Sequence, residues 1–187
     1  MKIDKLVFGL VLLASLLFST FGVAQNNVLA EDPLVVAVYE NRTDKVRELI
    51  IRQHPMSRAD ANGRTAMIWG AIQGSYESLE MILEAGAQTN ILDDIDNSAL
   101  YYAAANGHDD VVELLLSYNA GIDSENRDGR TPLMAAAKQG HDRVVAQLIA
   151  SRADVGVSDF TGRTALDLAR EGRSRKVIQL LQQASRR

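Results

Sequence analysis

A chain of 187 residues, 47% apolar and 24% charged, has room for one domain or a short array with a buried core. The absence of cysteine excludes a disulfide framework, thiol chemistry and cysteine-based zinc sites. A net charge of −4 is too mild to indicate a nucleic-acid partner. The scarcity of aromatics leaves an apolar content of mostly Ala, Leu, Val and Ile, which suits packed helices better than a β-sandwich.

The chain begins with Lys2 and Lys5, then runs without charge from Leu6 to about Phe21, and reaches small residues at Gly22-Val23-Ala24. A positive start, an apolar middle and a small-residue end describe a secretory signal peptide spanning residues 1–24, with a second possible cut after Ala30. The apolar run is about 16 residues, short of the ~20 that a spanning helix needs. Because no charge appears until Glu31, anchoring in the inner membrane by residues 6–23 stays open as the alternative. The protein is therefore expected to be exported to a periplasm, and free of the membrane once the signal is removed.

From residue 31 the chain repeats itself every 33 residues. Thr65, Ser98, Thr131 and Thr164 keep this spacing, as do Met67, Leu100, Leu133 and Leu166. Gly74, Gly107 and Gly140 form another series, and Leu79, Val112, Val145 and Ile178 a fourth. Asp32-Pro33-Leu34 falls at the same phase one period earlier. Five units follow, starting near residues 31, 60, 93, 126 and 159, in a domain covering 31–187. A fixed period of this length means a stacked array.

Within a unit, Thr131 is suited to accept a free N–H at a helix start, and Pro132 occupies the first helical position, where its missing donor costs nothing. Leu133, Ala136 and Ala137 make a buried stripe with room for close helix approach. Gly140 can take the left-handed conformation that ends the helix. A second helix carries Val144, Val145, Leu148 and Ile149 on one face. Neither helix is long enough to stand alone, so each unit must bury its faces against its neighbours.

Residues 126–141, Asn-Arg-Asp-Gly-Arg-Thr-Pro-Leu-Met-Ala-Ala-Ala-Lys-Gln-Gly-His, closely resemble the ankyrin-repeat family motif, and residues 60–74, 93–108 and 159–169 are similar with fewer matches. The resemblance implies an all-α solenoid of about five helix-turn-helix units with projecting β-turn tips. Asp96 replaces the turn glycine of the third unit, a tolerable swap because Asp enters the left-handed region more readily than most residues. Met134 stands where the family usually has histidine. Arg173 stands at the helix-ending glycine position, with Gly172 one residue early. Gln182 and Gln183 make the last unit polar, as a capping unit requires.

No catalytic motif is present, no cofactor is implied, and the chain is read as a non-enzyme. His108 and His141 share one phase and are expected to satisfy backbone groups at the turn between helices rather than bind metal, since no ligand-spaced set accompanies them. His54 has no companion in the sequence. Asp93-Asp94-Ile95-Asp96 lacks the glycine and distal glutamate of a calcium loop and is read as solvated turn carboxylates. Arg173, Arg175 and Lys176 crowd the start of the last helix, where cations are unfavourable. They form a candidate site for an anion or an acidic partner, beside the plainer reading of a solvated capping helix.

Partners of this family usually dock on the concave face built from the turn tips and the exposed side of the first helices. Carried over, the candidate contacts are Tyr39, Arg64, Ile72, Ile95, Asn97, Tyr101, Asn106, Arg130, Lys138, Phe160 and Arg163. Arg64, Arg130 and Arg163 recur at one phase and would present a ladder of guanidinium groups, or merely suit the turn. Trp69 and Tyr102 share a phase packed between units, whereas Tyr101 points to contact. The resulting expectation is a monomeric, exported protein-binding module whose partner is another protein of the same compartment. It would act as a stoichiometric inhibitor or immunity protein, or as an accessory factor, for a periplasmic enzyme. A membrane-tethered structural scaffold is the alternative.

Overall fold

The computed structural model describes residues 32–186. The expected signal peptide, its alternative cut after Ala30 and the anchor reading of residues 6–23 lie outside them. Among the described residues the protein is all-α, with ten helices arranged as five antiparallel pairs: α1 (Pro33–Tyr39) with α2 (Thr43–Ile51), α3 (Ala66–Gln73) with α4 (Tyr76–Glu84), α5 (Ala99–Asn106) with α6 (Asp109–Ser117), α7 (Pro132–Gln139) with α8 (Asp142–Ala150), and α9 (Ala165–Glu171) with α10 (Arg175–Ala184). None of them is long and apolar enough to cross a membrane.

The periodic hydroxyls start the first helices as their chemistry requires. Thr65, Ser98, Thr131 and Thr164 each accept the backbone N–H three residues on, and Asp32 does the same for α1 through Leu34 and Val35. Thr164 and Asp167 complete a reciprocal capping box, and that network holds the Asp167 carboxyl below its ordinary range. The first helices of α3, α5 and α7 end at Gly74, Gly107 and Gly140, all left-handed. In the last unit Arg173 takes that left-handed place, with φ of 56°. The displaced glycine has a reason. A Cβ at Gly172 would run into the backbone carbonyl of Lys138 in the preceding unit.

One core runs the length of the array. Leu79, Ile82, Leu100, Leu115, Leu133, Leu148, Leu168 and Leu181 are fully buried between successive pairs. Alanines 37, 71, 103, 104, 136 and 137 are buried among the first helices, which pack along the array more closely than the second helices do. The side of the first helices, where the resemblance puts the concave face, is thus the more tightly packed one.

The projections between units are turns and not strands. Only isolated bridges, Ala59 with Thr65 and Ser158 with Thr164, close two of them. Asp96, at the missing glycine position, has φ of 62°, as its side chain permits. Successive tips are joined by single backbone bonds: Asp94 N–H to Asn62 O, Arg127 to Ile95 and Phe160 to Asp128, at 3.0–3.1 Å. The tips therefore form one continuous edge beside the first helices.

Candidate protein-docking face

Each unit from the second onward opens its turn with an Asp or Asn at residue 60, 93, 126 or 159, and this residue organises the face. One oxygen ties the turn together: Asp60 Oδ1 accepts the N–H groups of Asn62 and Arg64 at 2.8 and 2.9 Å, and Asp93 Oδ1 those of Ile95 and Asn97. In the second and third units the other oxygen reaches an aromatic donor on the first helix of the same unit. Trp69 Nε1 donates to Asp60 at 2.9 Å and the Tyr102 hydroxyl to Asp93 at 2.7 Å. Trp69 and Tyr102 are half-buried, each with its polar tip satisfied.

A second layer crosses from unit to unit. Arg64 Nε lies 3.7 Å from Asp93 of the next unit, and Arg130 Nε lies 3.6 Å from Asp159. Between these joints the same two phases are filled by Asn97 and Asn126, bonded amide to amide at 2.8 Å. Arg163 instead folds back within its own unit, on Asp159 at 2.9 Å and on Glu171 at 3.3 Å. Burial works to raise the Asp159 carboxyl. Hydrogen bonds from the Thr161 hydroxyl, and from Arg163 through backbone and side chain, outweigh burial and hold the carboxyl well below the ordinary carboxylate range.

This geometry revises several expectations. The arginine ladder is not a row of equivalent guanidinium groups: Arg163 is bonded to Asp159 and Glu171 of its own unit, Arg130 lies between Asp128 and Asp159, and Arg64 lies 3.7 Å from Asp93 without a hydrogen bond to it. Asn97 is 4% exposed and its amide is spent on Tyr102 and Asn126, so it offers nothing to a partner. Asp93 is buried and saturated, not a solvated turn carboxylate. His54 has a companion after all: its Nε2 donates to Asp32 Oδ2 at 2.8 Å, tying the start of α1 to the end of the first unit. His108 and His141 satisfy backbone carbonyls, but across units: their Nε2 atoms donate to Ile72 O and Ala105 O at 3.1 and 3.0 Å. Their rings lie over Gly74 and Gly107 of the preceding unit, where a Cβ would meet them at 2.7 and 2.6 Å.

The basic cluster is changed as well. Lys176 pairs with Asp142 at the start of α8, and this hydrogen bond lowers the Asp142 carboxyl. Arg143 and Asp109 repeat the arrangement one unit earlier, at 3.7 Å. The cation at a helix start is thus offset by the first-turn acid of the preceding unit. Arg173 and Arg175 remain exposed.

The side chains left facing outward define the candidate surface. Phe160 is 74% exposed, its ring lying over Gly129, and Ile95 is 48% exposed on the tip two units earlier. On the first helices, Tyr39 is exposed and meets Trp69 edge-to-face with centroids 5.2 Å apart. Tyr101 is half-buried and set edge-to-face on Tyr102, and burial raises the hydroxyl pKa of both tyrosines. Asn106 and Lys138 are exposed, and Ile72 is half-buried against the core. The arrangement offers apolar edges and hydrogen-bonding tips along one wall. Among the described residues no group of three or more His, Asp and Glu side chains is placed to hold a metal ion. A cleft between α6 and α8 of about 450 Å³, lined by Asp109, Asp110, Glu113, Arg143, Ala146 and Gln147, is shallow and open to solvent.

Sequence reasoning missed the turn aspartates as organisers, although their phase with Trp69 and Tyr102 was visible. Each aromatic stands nine residues after an acid that it caps.

Compared with models of protein families, the chain matches the one described as Ankyrin repeats (3 copies) over residues 8–93, 82–159 and 100–186. No curated protein matches it.

Proposed function

This chain belongs to the ankyrin-repeat family, and we propose that it is an exported protein-binding module whose concave face and tip edge cover a partner protein of the same compartment. Members of the family act in protein–protein interaction, and the fold has no catalytic constellation among its described residues. The observation that carries the reading is the exposure of Tyr39, Ile95 and Phe160 on the first-helix and tip side, where ordinary solvation favours polar residues. Aromatic and apolar anchors surrounded by polar groups dominate interface energies. The signal-like order of Lys2, Lys5, Leu6–Phe21 and Gly22-Val23-Ala24 supports export. A small rigid wall is suited to obstructing an active site, so the role is that of a stoichiometric inhibitor or immunity protein, with support of a periplasmic enzyme as the second reading.

The test has two arms. N-terminal sequencing of the native protein should begin at residue 25 or 31; retention of residues 6–23 would place it as a tethered scaffold. Capture from the exported fraction should yield one partner with the wild type and lose it with Ile95→Ala plus Phe160→Ala. Titrating the protein into that partner's enzymatic assay should abolish activity at one-to-one stoichiometry. A rise in activity would select the accessory role.

A further inference from the structure

We infer that Arg64 is the polar anchor of the docking face and that it receives a carboxylate side chain of the partner. This rests on the concave-face reading and names the chemistry that the face selects. The Arg64 guanidinium is held between two rings, its central carbon 5.4 Å from the Trp69 centroid and 5.5 Å from that of Tyr102. Arg stacked on aromatic faces is attracted through the ring quadrupole and held flat and preorganised. Its side chain is 27% exposed, so solvent reaches part of it.

The acids around it do not use that fork. Asp60 and Asp93 are spent inward, and the exposed Asp94 carboxylate lies against Gly63 without a bond to the guanidinium. Asp60 accepts from Asn62, Arg64 N and Trp69. Asp93 accepts from Ile95, Asn97 and Tyr102. Asp93 Oδ2 stays 3.7 Å from Arg64 Nε, beyond hydrogen-bond length, and this Nε is buried without a hydrogen-bond partner. The one side-chain bond that the guanidinium makes is a long one, 3.4 Å from Nη2 to the Tyr102 hydroxyl. Arg163, at the same phase, shows the contrast: it donates through Nε and Nη2 to Asp159 at 3.1 and 2.9 Å and through Nη1 to Glu171. Arg163 is saturated, whereas Arg64 is positioned and unsaturated. Planar, bidentate recognition of a carboxylate is what such a fork performs. Tyr39, edge-on to Trp69, supplies an apolar shoulder for the rest of the partner's side chain.

Trp69 is the only tryptophan of the chain, so its emission reports on this site alone. The test titrates the protein with three decapeptides: one rich in glutamate and leucine, its glutamine counterpart and its lysine counterpart. The glutamate peptide should shift Trp69 emission and bind at least tenfold more tightly than the other two. Arg64→Lys keeps the charge but loses the fork, and should reduce that preference severalfold. Arg64→Gln should erase it while helical circular dichroism is retained. Equal binding of the glutamine peptide overturns the carboxylate anchor yet leaves the concave face as a docking surface. An emission response to no glutamate peptide at millimolar concentration also overturns it, as does a preference unchanged in Arg64→Gln. Should Arg64→Gln lose its helical signal, the Arg64→Lys titration decides alone.

Discussion

Asn97 Oδ1 accepts a hydrogen bond from Asn126 Nδ2 at 2.8 Å, at the joint where the flanking units set Arg64 against Asp93 and Arg130 against Asp159. The three joints are alternative ways to link a turn to the next turn: a neutral amide pair joined by a hydrogen bond in the middle, and a cation facing a buried carboxylate on either side. The identity of one residue is therefore conditioned by another 29 positions away.

This coupling is testable by a double-mutant cycle. Asn126→Asp alone keeps the oxygen that holds Asp128 and Arg130 N–H groups but faces the Asn97 oxygen with a second acceptor. Asn97→Arg alone meets an amide. Each single change should cost about 1–2 kcal/mol, and the pair should recover at least half of the summed loss, because it rebuilds the Arg–Asp joint. Urea unfolding of the four proteins measures it; additive losses would refute the coupling.

Ser78 is fully buried on α4 and its hydroxyl has no hydrogen-bond partner, whereas the same phase holds Val111, Val144 and Val177 in later units. Removing an unpaired buried hydroxyl relieves its desolvation. Ser78→Ala should stabilise by about 1 kcal/mol, read as a higher urea midpoint with unchanged slope. A lower midpoint would show that the hydroxyl is satisfied.

The last unit carries two opposite backbone predictions. Gly172→Ala forces a Cβ into the Lys138 carbonyl and should destabilise by about 1–3 kcal/mol. Arg173→Gly relaxes a left-handed arginine, φ 56°, and should stabilise by about 1 kcal/mol. Thermal midpoints moving the other way would contradict the assignment of the two positions.

Acid should loosen the C-terminal units first. The Asp159 carboxyl is depressed in the folded chain, and Asp142 and Asp167 are lowered as well. A depressed carboxyl contributes stability that is fully present above its unfolded value, ~3.9 for Asp, and is lost as pH falls through the lower folded value. Hydrogen exchange at pH 3 should therefore show α8, α9 and α10 opening before α4 and α5. Asp159→Asn should flatten the dependence of stability on pH below about 4. Uniform exchange along the array would count against it.

The helix starts, the unit boundaries and the core stripe were legible because they repeat: a threonine at a fixed phase before an apolar run has one physical use. The side-chain network was legible only in part. Phase places Arg64 and Asn97 at the tips, but it does not say whether a long side chain turns outward or along the array. Asn97 differs from its phase-mates in length, which was the available signal that it joins Asn126. The His54–Asp32 pair links residues 22 apart with no shared motif, and the Lys176–Asp142 pair residues 34 apart, its one counterpart being Arg143–Asp109. Only the packed pairs bring them together. The outward apolar side chains of Phe160 and Ile95 were visible, since an apolar side chain on a solvated turn is conspicuous in sequence.

The docking face itself is tested most directly by photo-crosslinking in cells that make the protein natively. Phe160 on the tip edge and Ile51 at the end of α2 are both 74% exposed, so a photoreactive phenylalanine at either position samples solvent equally. A partner held by the concave side gives one discrete adduct from position 160 and none from position 51. An adduct from position 51 alone would assign recognition to the second helices and contradict the account.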